Sequence, residues 1–158
     1  MKSFLLALSL FASLAQADCG KLIQPLPLYA QRADFTCGVV CVRSVFEYLT
    51  GIRFSEEQLA YTLGTYAKGY TDPYAMLRFF NSYGFRAKLD FDKNLNDLRR
   101  YMRLGESLIV SITLEGTPHY AAVKAISASH VVLMDPWIAR EGRELVVAHK
   151  PVGDKKIT

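Results

Sequence analysis

The pattern of apolar and polar positions divides the chain into two parts. From about residue 37 to residue 84, apolar side chains recur at helical spacing between polar ones, which predicts amphipathic helices. After residue 85 the pattern changes to short alternating or continuous apolar runs, which predict strands. Because helices come first and strands follow, we predict an α+β fold in which N-terminal helices pack on a C-terminal antiparallel β-sheet.

Start and stop signals delimit three predicted helices in the first part. The first runs from Cys37 to about Thr50 and stops at Gly51. Residues 55–64 and 72–84 each begin with a capping residue and end at a glycine. The capping residues are Ser55, with Gln58 three positions later, and Asp72, which is followed by Pro73.

The second part combines one more helix with several strands. Asn94 is the predicted cap of a helix over residues 94–105. Residues 119–126 and 130–135 are predicted to form a hairpin with a short turn between them. Further strands are predicted at residues 85–90, 107–114 and 144–149.

The first 17 residues have the pattern of a secretory signal peptide. Lys2 supplies a positive charge, residues 4–14 form an apolar run too short to span a bilayer, and AQA at residues 15–17 supplies small side chains for the peptidase. We therefore predict a signal peptide at residues 1–17 and export to the periplasm or the medium.

The residues after the signal peptide are predicted to form a single domain, 18–158. A lipoprotein anchor on Cys19 is disfavoured because Asp18 precedes it, where lipoprotein signals need a small residue. An uncleaved membrane anchor is disfavoured by the short apolar run.

The composition suits one globular domain, since 51% of the 158 residues are apolar and 22% are charged. The formal net charge is +4, but the basic residues are scattered, so nucleic-acid binding is not indicated. In an oxidising space cysteines usually pair, and the chain has 3 of them. An odd number leaves at least one thiol free or bonded to another chain.

Cys37 and Cys41 lie about one helical turn apart. A disulfide, a metal site, packing in the core and a nucleophile are each compatible with this pair. As a nucleophile, Cys37 would lie in the first turn of a helix, where the dipole and unpaired N–H groups stabilise a thiolate. Gly38 would then leave space for a substrate carbonyl to approach the backbone.

A thiolate nucleophile needs a histidine as proton partner and an acceptor that orients this histidine. His130 begins a strand at the hairpin turn and His149 lies in the C-terminal tail, whereas the turn EGTP would expose His119 at a sheet edge. A hairpin turn at residues 127–128 places His119 opposite Asp135, directly or diagonally, on one face. No carboxylate lies opposite His130.

Gln31 lies upstream of Cys37 in the stretch QRADFTC. Attack on an acyl carbon creates an oxyanion, to which the Gln31 amide and the Cys37 backbone N–H could donate. Each of these residues alone has an ordinary structural explanation. The ordered set of Gln31, Cys37, His119 and Asp135 favours a nucleophilic active site.

This ordered set resembles that of papain-like cysteine peptidases, specifically the family that removes double-glycine leader peptides from bacteriocins. The shared residues are Gln31, CG at 37–38, HYAAV at 119–123 and DPW at 135–137. The resemblance covers about residues 28–137. It implies a papain-like fold and a peptidase that needs no cofactor or metal, with Cys37, His119, Asp135 and Gln31 as catalytic residues.

The resemblance also implies a mechanism and a class of partner. Cys37 would attack a peptide carbonyl, His119 would shuttle the proton, and water would release the resulting thioester. Leader-trimming domains usually lie in the cytosol, fused to a transporter, whereas this chain has a predicted signal peptide. We therefore expect a peptide or protein substrate met after export, such as a secreted fibre subunit or an adhesin. We expect no nucleic-acid partner, and no membrane anchor after signal cleavage.

Two features depart from the family pattern. Thr36 stands directly before the nucleophile, where the family usually has an acid, and Asp34 lies three residues ahead of Cys37. The tail after Trp137 is short and lacks the apolar helical segment that often follows the Asp-Pro pair.

Cys41 has several explanations. The family has a small buried residue at this position, which favours packing. A Cys19–Cys41 disulfide would leave Cys37 free and account for the odd count. A Cys37–Cys41 disulfide would block catalysis, and a zinc site lacks convincing ligand spacing.

Two other functions use the same fold. A papain-like acyltransferase would transfer the acyl group to an amine or thiol, and product analysis with an added amine would separate it from a peptidase. A catalytically silent binding module would not need all four site residues, and unchanged biological activity of Cys37→Ser would favour it.

Overall fold

The computed structural model describes residues 22–114 and 116–148. Within these residues the chain forms five α-helices, one short 3-10 helix and five β-strands. The predicted signal peptide, together with Cys19 and His149, lies outside the described residues. None of the helices in the described ranges is long and apolar enough to cross a membrane.

Helices dominate the first half of the described chain and strands dominate the second. The α-helices are α1 (Cys37–Thr50), α2 (Glu56–Thr62), α3 (Thr65–Lys68), α4 (Pro73–Ser82) and α5 (Leu95–Arg103). The strands are β1 (Leu22–Ile23), β2 (Ile109–Leu114), β3 (Thr117–Ile126), β4 (His130–Met134) and β5 (Leu145–Ala148), and the 3-10 helix covers Ile138–Glu141. This order, with all strand pairs antiparallel, confirms the predicted papain-like α+β fold.

The predicted capping residues begin the helices. Ser55 and Gln58 form a reciprocal capping box at the start of α2. Asp72 caps α4 through the N–H of Tyr74, and Asn94 caps α5. The structure thus confirms the predicted caps and the bounds of α1. These features can be predicted from the sequence because a cap acts within one turn of the chain.

The second predicted helix is shorter than the sequence suggested. α2 ends at Thr62, and Gly64, with φ of 66°, begins α3 instead of ending α2. Glycine adopts this left-handed conformation without steric cost, so it suits a break between two helices as well as a helix end.

The predicted strand at residues 85–90 is wrong. Its side chains alternate between half-buried and exposed as a strand's would, but no strand in the described part of the chain pairs with it. Phe85 and Ala87 pack on the helical core, and the Ala87 N–H donates to the Asn81 side chain at 3.0 Å. The alternation of apolar residues over 85–90 therefore reflects burial of one side of an extended segment, without the hydrogen bonds of a β-strand.

β3 is the centre of the sheet. β4 pairs along one side of β3, β1 and β2 pair along the other, and β5 pairs with the outer side of β4. β3 and β4 form the predicted hairpin, and β5 confirms the strand expected near the C-terminus. Because neighbouring strands pair with both sides of β3, its backbone is fixed and its side chains keep defined positions.

Helices cover both faces of β3. One apolar cluster joins α1, α2 and α4 to Ala122, and a second joins α5 to Val123. Successive strand residues point to opposite faces, so these neighbours belong to opposite sides of the sheet. α1 is packed deep in the first cluster, where Val39 and Val42 have no exposed surface. The residue that begins α1 is therefore carried by a firmly packed helix.

Candidate active site

Cys37 is the first residue of α1 and is only 8% exposed. Thr36 precedes it as the N-cap but makes no side-chain capping hydrogen bond, and the first turn contains no acidic residue. The N–H groups at this helix end are therefore not neutralised by a carboxylate of the helix itself. Such a helix start stabilises negative charge on a cysteine sulfur.

His119 is the third residue of β3 and its Nε2 lies 2.8 Å from Asp135 Oδ1. Since Nε2 bonds to the carboxylate, Nδ1 is the ring nitrogen left for Cys37. The prediction that His119 is exposed at a sheet edge is wrong, because only 8% of the residue is accessible. β3 begins two residues earlier than expected, and His119 pairs with Ile112 of the neighbouring strand.

Asp135 lies one residue beyond β4 and is fully buried. Its Oδ1 also accepts the backbone N–H of Trp137 at 2.8 Å, so its own turn fixes the carboxylate. The hairpin pairs Ala122 with Met134 after a register shift in β3. If this register continues for one more residue, Asp135 lies diagonal to His119 across the two strands. The sequence predicts that the two residues face each other directly or diagonally, and the structure has the diagonal arrangement.

The surroundings favour a charged pair of Cys37 and His119. Burial raises the pKa of the Cys37 thiol, but hydrogen bonds from His119 and from the backbone N–H of Tyr120 outweigh it and lower the pKa overall. Burial lowers the pKa of His119, but its hydrogen bonds with Asp135 and Cys37 raise this pKa to about 9. Burial raises the pKa of Asp135, yet the hydrogen bond with His119 leaves it lowered.

Gln31 is 2% exposed and lies beside the turn that follows Asp135. The Gln31 N–H donates to the Pro136 carbonyl at 3.0 Å, and Arg140 Nε donates to the Gln31 carbonyl at 3.0 Å. One hydrogen of the side-chain amide goes to the Ala33 carbonyl at 2.9 Å. The structure thus ties Gln31 to the Asp135 turn, and its amide keeps a second hydrogen for another acceptor.

Gly38 has a different role from the one predicted. A Cβ atom added at this position would lie 2.6 Å from Thr71 Cβ, closer than real Cβ contacts allow. The missing side chain therefore makes room for Thr71, which is 2% exposed, and not for a substrate carbonyl. Thr71 is far away in the sequence, so no local pattern revealed this contact.

Glu56, the first residue of α2, is a further residue near the site that the sequence did not predict. Its Oε1 accepts the hydroxyl of Thr36 at 2.6 Å and the backbone N–H of Arg32 at 3.0 Å. Both partners lie in the loop that carries Gln31 and leads to Cys37. A glutamate after a capping serine is an ordinary helix-start residue, so the sequence held no signal for this contact.

Cys41 packs in the core with no exposed surface, as its packing role predicts. Burial raises the pKa of the Cys41 thiol well above its usual range, so it stays protonated. Cys37 and Cys41 are both free thiols in the described structure. The Cys19–Cys41 disulfide stays a prediction because Cys19 lies outside the described residues.

In residues 22–114 and 116–148, no group of three or more His, Cys, Asp or Glu side chains is arranged to hold a metal ion.

Comparison with known proteins adds one finding. A family model described as the Peptidase C39 family matches residues 26–147 of the 158. The matched range includes all four candidate residues, Gln31, Cys37, His119 and Asp135. No curated protein matches the chain.

Proposed function

The chain belongs to the peptidase C39 family of cysteine peptidases, and on this premise we propose that it is an active peptidase with Cys37 as nucleophile. One observation carries the proposal: the buried Asp135 carboxylate holds His119 through Nε2 at 2.8 Å, which leaves Nδ1 as the ring nitrogen for the hydrogen bond with the Cys37 thiol at the start of α1. A histidine that served only packing would not need a buried carboxylate on one side and a cysteine on the other.

The reaction follows from the proposed charged pair. Cys37 Sγ attacks the scissile carbonyl carbon, and an electron pair of the C=O bond moves to oxygen. The tetrahedral intermediate then collapses, the C–N bond breaks, and the leaving nitrogen takes the proton from His119 Nδ1. A water molecule loses a proton to the neutral His119 and attacks the thioester, which releases the acid and restores the pair.

Asp135 and Gln31 support these steps in different ways. The Asp135 carboxylate holds His119 by Nε2 and stabilises the imidazolium, so that Nδ1 keeps facing the thiol. The second amide hydrogen of Gln31 and the Cys37 backbone N–H are the proposed donors to the oxyanion. The hydrogen bonds that fix both backbone sides of Gln31 support this role, since an oxyanion donor acts best when it does not move.

Selective alkylation tests the nucleophile. Iodoacetamide should modify Cys37 much faster than an ordinary cysteine at pH 7, because only the thiolate reacts and the pKa of Cys37 is lowered. Peptide mapping by mass spectrometry locates the label among the three cysteines, and the Cys41→Ala variant is the matched control. If Cys37 reacts no faster than free cysteine, the proposed nucleophile is wrong.

Cleavage itself is measured on a set of peptides with double-glycine sites, the substrate class that the family resemblance suggests. Wild type should release a C-terminal acid, while Cys37→Ala and His119→Ala should release none. If an added amine yields an amide product in place of the acid, the reaction is acyl transfer and not hydrolysis.

We also propose that the protein is exported and acts on an exported peptide or protein, such as a fibre subunit or an adhesin. The signal-peptide pattern at residues 1–17 supports this proposal. N-terminal sequencing of protein recovered from the periplasm or the medium should begin at Asp18. Protein that stays inside the cell and retains residues 1–17 would contradict export.

A further inference from the structure

We propose that Glu56 is a positioning residue that holds the oxyanion side of the active site through the loop between Gln31 and Cys37. Glu56 touches no reacting atom in this proposal, and its effect passes through the loop. The inference rests on the proposed function, because it needs Gln31 as an oxyanion donor. It concerns a side chain of α2, outside the four candidate catalytic residues.

The contacts of Glu56 join the two ends of this loop. One carboxylate oxygen, Oε1, accepts the N–H of Arg32 at 3.0 Å and the hydroxyl of Thr36 at 2.6 Å. Arg32 directly follows Gln31, and Thr36 directly precedes Cys37. A single acceptor therefore fixes the residues next to both proposed oxyanion donors.

The contact with Thr36 sets where α1 begins. Thr36 is 1% exposed and its carbonyl accepts the first intrahelical bond, from Val40 N at 3.0 Å. Its hydroxyl lies 2.8 Å from the Ala33 carbonyl but only 2.6 Å from the Glu56 carboxylate. A hydroxyl has one proton, and the shorter, charge-assisted bond is the stronger. Glu56 thereby holds the N-cap of the helix that presents Cys37.

The other end of the loop is fixed from the opposite side. The Gln31 N–H donates to Pro136 and the Gln31 carbonyl accepts from Arg140, each at 3.0 Å. Glu56 then holds the next residue, Arg32, from α2. The Gln31 amide is thus oriented between the turn after Asp135 and the start of α2.

The burial of Glu56 supports a role for its contacts with the loop. The residue is only 5% exposed, and among the described residues it forms no salt bridge with Lys, Arg or His. A buried carboxylate is costly unless donors satisfy it, and here the two loop donors both bond its Oε1. Removing the carboxylate leaves the Arg32 N–H and the Thr36 hydroxyl without this partner, so the loop loses its support on the α2 side.

The test compares Glu56→Ala and Glu56→Gln with Glu57→Ala. Glu57 is the next residue of α2, shares the charge at the helix start and is exposed, but among the described residues no hydrogen bond like those of Glu56 joins its side chain to the loop. Glu56→Ala should lower kcat about 10-fold or more and change KM little, as a displaced oxyanion donor would. Glu56→Gln should recover most of this loss because its amide oxygen can still accept. Glu57→Ala should behave like wild type.

Alkylation of Cys37 separates positioning from general damage. The hydrogen bond with His119 is the largest cause that lowers the pKa of Cys37, and alkylation needs no oxyanion donor. The rate of Cys37 alkylation and its pH profile in Glu56→Ala should therefore stay within about twofold of wild type, as in Gln31→Ala. An equal loss of kcat and of Cys37 alkylation, with a lower Tm, would show that Glu56 only stabilises the fold and would overturn the proposal.

Two further measurements decide the proposal if a variant is unstable or the protein is inactive. If Glu56→Ala does not fold, Thr36→Val removes the shorter bond, and wild-type kcat in that variant overturns the inference. Hydrogen exchange of a peptide covering residues 31–36 should be faster in Glu56→Ala than in Glu57→Ala, and Glu56→Gln should restore most of the protection. If wild type cleaves no peptide, the proposed function fails, and unchanged exchange would separately overturn the role of Glu56 in ordering the loop.

Discussion

His119 Nε2 and Asp135 Oδ1 form a 2.8 Å hydrogen bond between residues that lie 16 positions apart in the sequence. The β3–β4 hairpin brings them together, and the N–H of Trp137 holds the same carboxylate oxygen. Neither side chain can turn away without breaking a buried hydrogen bond. The orientation of the imidazole is therefore built into the sheet before any substrate binds.

Replacing Asp135 with Asn tests the charge of this carboxylate. The amide has nearly the same shape and its oxygen can still accept the Nε2–H, but it carries no negative charge to stabilise the imidazolium. The pKa of His119 should therefore fall from about 9, and kcat should drop about 10-fold or more. Asp34→Asn, an exposed change in the loop before Cys37, is the matched control. Steady-state kinetics on both variants is the measurement, and wild-type kcat in Asp135→Asn would show that the carboxylate has no catalytic part.

The pH profile of kcat/KM follows from the two shifted groups. The active form needs Cys37 without its proton and His119 with its proton. Activity should therefore rise with pH on the acid side, through the lowered pKa of Cys37, and fall as pH passes about 9, where His119 loses its proton. In His119→Ala, alkylation of Cys37 should require higher pH. An alkaline limb near the usual histidine pKa of about 6.5 would contradict the assignment.

Substituting Gly38 tests the contact with Thr71. Gly38→Ala places a Cβ 2.6 Å from Thr71 Cβ inside a packed region, so the free energy of unfolding should fall by about 1–3 kcal/mol. Thr71→Gly removes the opposing atoms, so in that background the same substitution should cost much less. Urea unfolding of the four proteins gives this coupling, and additive losses would show that the two residues do not compete for space.

Cys41 is expected to contribute packing and not chemistry. Cys41→Ser puts a hydroxyl among apolar side chains and should lower the free energy of unfolding by about 1–3 kcal/mol. Cys41→Ala buries no polar group, so its loss of stability should come only from the small cavity that it leaves. Both variants should retain kcat per folded molecule. A loss of kcat without a loss of stability would give Cys41 a part in the reaction.

The parts of the fold that the sequence predicted correctly depend on short-range signals. Ser55 with Gln58, Asp72 and Asn94 begin helices because a cap acts within a single turn, and Gly51 ends α1 for the same reason. The hairpin was also predictable, since its turn fixes which residues face each other. The pairing of His119 with Asp135 follows from that turn, with a bulge that shifts the register by one residue.

The parts that the sequence did not predict depend on distant contacts. Residues 85–90 alternate like a strand, yet whether they pair depends on a neighbouring edge that their own residues do not specify. The sequence predicts that Gly38 leaves space for a substrate carbonyl, but Thr71 occupies that space from a distant segment. Glu56 looked like an ordinary helix-start acid, and only the packing of α2 on the loop gives it partners.

The division of the site between α1 and the β3–β4 hairpin has a consequence during protein synthesis. A ribosome releases Cys37 well before His119 and Asp135, so an unfinished chain carries a thiol with neither its proton partner nor the carboxylate that orients it. The cysteine should become reactive only when the last strands dock on the helix. On the proposed function, the peptidase is therefore harmless to neighbouring peptides until its own folding is complete.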